Sequence, residues 1–257
     1  MNVPPAPGSP DIAPESATGF TEKALVQASR AMIATANPLA TEAGYDILQQ
    51  GGAAVDAAIA TQMVLGLTEP QSSGIGGGAL LLLYDGTQVV AFDGRETAPA
   101  AATPNRFLDG QSKPLAFRDA VVGGHSVGVP GVLKMLDMAH KQYGTLPWAT
   151  LFQPAIALAA EGFPVSRRLH VLLDADQHLR HVEPARSYFY QADGTPKAVG
   201  MRVYNPDYAH VLQLIAAQGA EAFYRGKLVE DMVQAVRQHP THPGDLSAAD
   251  FAAYEAR

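Results

Sequence analysis

Several sets of side chains have types and spacings that suit chemistry. His178 and His181 stand three apart beside Asp174 and Asp176, a spacing that sets imidazoles and carboxylates on one helix face as metal ligands. Their neighbours Arg167, Arg168, Gln177, Arg180 and Glu183 describe a solvated charged face, and that reading is preferred, so no metal is expected. His239 and His242 flank Pro240 and Pro243 in a loop without fixed geometry, and no His-Glu-x-x-His pair is present. Ser72, Ser73 and Ser126 lack the Gly-x-Ser-x-Gly turn that raises a serine nucleophile, although a Ser–His pairing through His125 stays open. The chain has no cysteine, which excludes a thiol nucleophile, a disulfide and a thiolate metal site.

Gly74-Ile75-Gly76-Gly77-Gly78 is the densest glycine run, and backbone N–H groups in such a run can cradle a phosphate. That cradle needs a strand before it and a helix after it. Here an apolar helix precedes the glycines, a strand follows, and no Gly-Lys-Ser/Thr sequel exists. The glycines are therefore read as allowing a tight turn and close backbone packing. Phe92-Asp93-Gly94-Arg95-Glu96-Thr97-Ala98-Pro99 closes a predicted strand. An arginine there can present its planar fork to a carboxylate; a surface Arg95–Glu96 ion pair is the plainer alternative. Pattern alone leaves function undecided.

The elements that must position these residues read as follows. Asn37-Pro38 caps a helix that Gly51-Gly52 stops, with Leu39, Ala43 and Ile47 on one face. A second helix over 53–67 is apolar nearly all round and is expected to be buried. Ala79–Tyr84 is an unbroken apolar run, predicted as a strand covered on both faces. Asp85-Gly86 turns it into a returning strand over 88–93. Val121–Val129 is predicted as strand and connection, Pro130-Gly131 opens a helix that Gly144 ends, and 147–160 is helical with a break or kink at Pro154. Residues 166–181 read as a charged helix, 186–203 as mixed with a turn at Asp193-Gly194, and 205–237 as mainly helical. Ser247-Ala248-Ala249-Asp250 is a helix-capping pattern, Phe251 and Tyr254 begin an apolar face, and the sequence ends three residues later at Arg257; a frayed terminal helix and an interrupted one explain it equally.

Length and composition bound the class. The 257 residues, 47% hydrophobic and 17% charged, suit an α/β enzyme of one large domain or two small ones. A net charge of −7 without Lys/Arg clusters argues against a nucleic-acid partner. No run reaches the roughly 20 apolar residues of a membrane span, and the Pro/Ser/Gly-rich lead, residues 1–24, is expected to be disordered and does not read as a signal peptide.

Taken in order, several segments resemble the γ-glutamyltranspeptidase family: Ala36-Asn37-Pro38-Leu39-Ala40, Gly51–Ala58, Glu69–Gly78, Gly94-Arg95-Glu96-Thr97-Ala98-Pro99, Gly128-Val129-Pro130-Gly131, Tyr143-Gly144, Gln153–Ala159, Glu161-Gly162-Phe163, Phe223–Gly226 and Leu246–Phe251. The resemblance covers residues 25–257 and implies an N-terminal-nucleophile hydrolase fold, a four-layer αββα sandwich that is incomplete here. It implies a precursor that cuts itself into large and small subunits, this chain being the N-terminal portion of the large one. The new N-terminal Thr of the small subunit attacks a γ-glutamyl amide such as glutathione; water or an acceptor amino acid resolves the acyl-enzyme. No cofactor is implied. Carried over by motif, Arg95 clamps the α-carboxylate of the γ-glutamyl group, Glu96 helps to orient the site, and Gly76–Gly78 are structural. The catalytic Thr has no counterpart here, which turns the reading of the C-terminus to interruption and makes the isolated chain inactive by expectation. The alternatives are a glutaryl-type β-lactam acylase of the same fold and a non-catalytic binding module. A periplasmic or secreted location is implied by the family only.

Overall fold

The computed structural model describes residues 24–257. The lead expected to be disordered therefore lies, except for residue 24, outside the described residues. Helix α1 (Pro38–Gln49) starts as its sequence dictates: the Asn37 side chain accepts from Leu39 N, and Pro38 fills the first turn, where no N–H is needed. Ala43 and Ile47 turn inward. Helix α2 (Ala54–Thr68) follows and is the central helix, with Ile59, Ala60, Met63 and Val64 fully buried. Strands β1 (Ala79–Tyr84) and β2 (Val89–Gly94) form an antiparallel hairpin in the register Ala79↔Gly94 to Tyr84↔Val89. Its turn is closed by Asp85 Oδ1, which accepts from Thr87 N and Gln88 N at 2.8 and 2.9 Å, and by Gly86 at φ 100°.

The remaining elements are α3 (Phe117–Val121), α4 (Val132–Tyr143), α5 (Gln153–Glu161), β3 (Phe163–Pro164), α6 (Arg167–Ala175), α7 (Ala185–Phe189), β4 (Arg202–Val203), α8 (Pro206–Gln218), α9 (Lys227–Arg237) and α10 (Ala248–Ala253). β3 and β4 make a second short antiparallel pair. α8 is tied to the centre by Tyr208, whose hydroxyl donates to Met63 O at 3.0 Å, and by Trp148 Nε1, which donates to Ile215 O at 3.1 Å. The buried side chains of these helices and of the inner hairpin face form one continuous core.

Three expectations are corrected. β1 is covered on one face only: Leu81 and Leu83 pack inward, whereas Leu80 and Leu82 are 69% and 75% exposed, with Tyr84 and Val89 beside them. Residues 121–129 hold the end of α3 and a 3-10 turn at Gly124–Ser126 instead of a strand; only the single bridge Thr97↔Val129 is sheet-like. The segment 147–160 is not kinked at Pro154. A 3-10 turn over Trp148–Phe152 leads into α5, and Pro154 sits in its first turn.

One buried carboxylate joins the front of the molecule to its centre. Asp56, in the first turn of α2, has no solvent exposure. Its Oδ2 accepts from Ala53 N (2.9 Å), Thr145 N (2.9 Å), Thr145 Oγ1 (2.7 Å) and Leu146 N (3.1 Å). Burial raises its pKa, but the hydrogen bonds from Thr145, Leu146 and Ala53 outweigh that and hold it below the ordinary aspartate range. Thr145 and Leu146 leave the end of α4, so Asp56 fixes α4 against α2.

Candidate carboxylate-binding site

α4 is the platform of the site. At its opening Gly131 N and Val132 N both donate to Gly77 O, at 2.9 and 3.1 Å, which gives two otherwise unpaired helix N–H groups an acceptor. The glycine run is thus held by a helix start through the Gly77 carbonyl, while Gly77 N donates back to Gly74 O at 3.3 Å. A Cβ on Gly78 would stand 2.6 Å from Glu96 Oε2 and from Gly94 O, and 2.9 Å from Arg95 Cα. The absence of side chains here lets the backbone lie directly against Gly94-Arg95-Glu96.

Arg95 follows the last residue of β2 and is fixed by its own backbone. Its N–H donates to Asp93 Oδ1 at 2.9 Å, and its carbonyl accepts from the Tyr254 hydroxyl at 2.8 Å. Burial, then the charges of Asp93 and Glu96, push the Tyr254 phenol above its usual range, which keeps it a proton donor. Two residues on, Val129 N donates to Thr97 O at 2.8 Å and ties 95–99 to 127–131. With the backbone held on both sides, the Arg95 side chain stays free to meet solvent: it is 60% exposed, and Nη2 lies 3.4 Å from Glu96 Oε2. Arg95 and Glu96 are therefore together, at ion-pair distance.

Arg95 borders two cavities. One of about 530 Å³ is lined by Gly76, Arg95, Glu96, Arg106, Phe107, His125, Ser126 and their neighbours. The other, of about 370 Å³, is lined by Asp93, Arg95, Asp250, Tyr254, Glu255 and Arg257 among others. In the first, Arg95 is matched by Glu96 and Arg106 by Asp245, whereas three carboxylates outnumber two guanidinium groups in the second. The first cavity is the less acidic of the two, and its volume lies within the roughly 300–1,000 Å³ of small-molecule sites.

The other sequence candidates separate from this site or lose their freedom. Ser126 Oγ donates to Val121 O at 2.6 Å, Ser72 Oγ donates to Glu69 O at 3.4 Å, and Ser73 Oγ accepts from Gln62 Nε2 at 2.6 Å. None of these contacts is a Ser–His pairing. His178 N donates to Asp176 Oδ1 in a turn, at 2.7 Å. Among the described residues no group of three or more His, Asp or Glu side chains is placed to hold a metal ion, and no helix is long and apolar enough to cross a membrane. Sequence reasoning missed Arg106 and Tyr254, whose partners lie 139 and 159 positions away in Asp245 and Arg95. No local pattern signals such pairs.

Comparison with solved structures defines the class. The chain matches Helicobacter pylori γ-glutamyltranspeptidase with a TM-score of 0.84 and 30% identity, over 91% of this chain and 66% of that one. It therefore has the α/β fold of the N-terminal-nucleophile hydrolases. Residues 40–257 match the family model for gamma-glutamyltranspeptidase, and the chain belongs to that family. Among curated proteins it is 39% identical to the glutathione hydrolase proenzyme of Bacillus subtilis (strain 168), over 87% of this chain and 38% of that protein. It is 40% identical to the acylase ACY 1 proenzyme of Pseudomonas sp. (strain V22), over 86% of this chain and 40% of that protein. The chain thus spans about two-fifths of the length of these curated relatives.

Proposed function

We propose that residues 25–257 are the N-terminal portion of the large subunit of a γ-glutamyltransferase or glutathione hydrolase, and that they bind the donor without breaking its bond. The observation that carries this reading is Arg95, anchored through its backbone at the end of β2 while its guanidinium borders a cavity of ligand size. A bidentate Arg–carboxylate contact to the α-carboxylate of the γ-glutamyl group fixes the position of the γ-carbonyl. Glu96, at 3.4 Å, orients the guanidinium. The nucleophile is a threonine on a segment outside this sequence. Its hydroxyl attacks the γ-carbonyl while its own α-amine takes the proton, and the leaving amine departs with a proton as the acyl ester forms. Water, or the amine of an acceptor amino acid, then cleaves the ester.

The partner on this reading is a small subunit of the same precursor. The curated relatives named above are proenzymes, and the bare outer face of the β1–β2 hairpin is an apolar surface of the kind that another layer covers. A second reading, a glutaryl-type acylase, is supported by the similarity to acylase ACY 1. Arg95 binds the distal carboxylate of either acyl group; only groups that recognise the α-amine separate the two. The test is release of nitroaniline from γ-glutamyl p-nitroanilide by purified 1–257. No turnover is expected, and turnover abolished by Arg95→Ala would put the nucleophile inside this chain and overturn the assignment.

A further inference from the structure

Tyr254 follows the last residue of α10 and is 4% exposed. Its ring stacks on that of Tyr224, with centroids 6.0 Å apart and planes 11° from parallel. The two hydroxyls serve neighbouring parts of the site. Tyr224 Oη donates to Pro130 O at 2.9 Å and accepts from Lys134 N at 3.3 Å, so it holds the opening turn of α4. Tyr254 Oη donates to the Arg95 carbonyl at 2.8 Å. Gly131 leaves room for that hydroxyl, since a Cβ there would collide with it and with Gly94 O. The chain is clasped twice more around this contact. Asp250 Oδ1 accepts from Ala100 N at 2.8 Å, and the Asp93 and Arg257 backbones exchange a pair of hydrogen bonds. Residues 250–257 therefore grip 93–100 at both ends and, through Tyr254, in the middle.

We infer that Tyr254 is a positioning residue for carboxylate binding, acting through Arg95 by fixing the peptide that joins Arg95 to Glu96. This rests on the reading of Arg95 given above. The Arg95 side chain is 60% exposed, so packing does little to aim it and the backbone at its Cα sets its direction. Asp93 Oδ1 holds the N–H on one side of that Cα, and Tyr254 holds the carbonyl on the other. Without the phenol the carbonyl loses its donor and the second peptide is free to rotate. The guanidinium stands at the far end of a long side chain, so a small rotation there displaces it enough to spoil a bidentate contact.

Y254F keeps the ring and its stack and removes the donor alone. Two readings on arginine-labelled 1–257 test it: the heteronuclear NOE of the Arg95 Nε–Hε group, and the affinity for γ-glutamyl methylamide by calorimetry. Y254F should lower the NOE and weaken binding about five- to tenfold, the scale of one hydrogen bond. Y208F is the control, because it removes a hydroxyl of the same kind, bound to Met63 O in the core. It should lower the melting temperature and leave both readings at the wild-type value. If Y254F does not melt cooperatively, replacement of Tyr254 by p-aminophenylalanine carries the test. Its N–H is a weaker donor in the same place, and both readings should fall by less. Unchanged readings in the folded variant overturn the inference, as does equal weakening in Y208F, which would reduce Tyr254 to a core residue. A loss of affinity with an unmoved Arg95 NOE also overturns it. Binding that R95A abolishes and folded Y254F retains overturns this inference and leaves the Arg95 reading standing. Binding unchanged in R95A, or no binding by the wild type, overturns both.

Discussion

Replacing Asp56 by alanine removes the acceptor that joins α2 to the end of α4, and the cost follows from its hydrogen bonds. Four donors meet on Oδ2. Ala53 N retains a second acceptor in Thr145 Oγ1 at 3.0 Å, and the Thr145 hydroxyl retains Gly51 O at 3.4 Å. The backbone N–H groups of Thr145 and Leu146 are left without that partner, at about 1–3 kcal/mol each. Loss of a carboxylate from the first turn of α2 adds about 0.3–1 kcal/mol. Asp56→Ala should therefore destabilise the chain by about 2–7 kcal/mol, a large part of the roughly 5–15 kcal/mol of a typical domain. Asp56→Asn keeps one acceptor oxygen and should cost less. Because the folded carboxyl is held below its ordinary range, its contribution is full above the unfolded aspartate pKa of about 4 and is lost as pH falls through the lower folded value. Urea unfolding followed by circular dichroism at pH 7 and at successively lower pH measures both effects. An Asp56→Ala loss under about 0.5 kcal/mol, or an acid limb that Asp56→Asn leaves unchanged, would refute the reasoning.

Two further perturbations probe the platform and the bare sheet face. Gly78→Ala places a methyl group against Glu96 Oε2, Gly94 O and Arg95 Cα, two of them backbone atoms; it should cost about 1–3 kcal/mol in the same unfolding assay and lower the affinity for a γ-glutamyl ligand. Leu82→Lys alters a side chain that is mostly exposed and should change stability by no more than about 0.5 kcal/mol while reducing self-association in sedimentation velocity. A loss above about 2 kcal/mol would mean that this face is covered within the chain.

Local chemistry made much of the fold legible. Asn37-Pro38 announces α1, and the Ser247–Asp250 capping box forms at α10, where Ser247 N donates to Asp250 Oδ2 at 2.8 Å. An apolar run such as Ala79–Tyr84 specifies a strand but carries no information about which face is covered. That depends on partners, and here one face has none among the described residues. The segment 121–129 failed as a strand for a related reason. Gly123 takes φ 123°, and a Cβ on Gly124 would meet Val236 O and Gly244, so the turn is shaped by residues over a hundred positions away. Arg95 was readable because a strand end and a short motif mark it. Arg106 and Tyr254 were not, since only the folded chain brings them to Asp245 and to the Arg95 carbonyl.

The central claim is that Arg95 holds the donor carboxylate, and nuclear magnetic resonance of arginine-labelled 1–257 tests it most directly. On titration with γ-glutamyl methylamide, the Arg95 Nε–Hε signal, assigned by its absence in Arg95→Lys, should shift and saturate, and Arg95→Ala should abolish ligand binding. A ligand that binds without moving that signal, or that binds Arg95→Ala with unchanged affinity, would contradict the account.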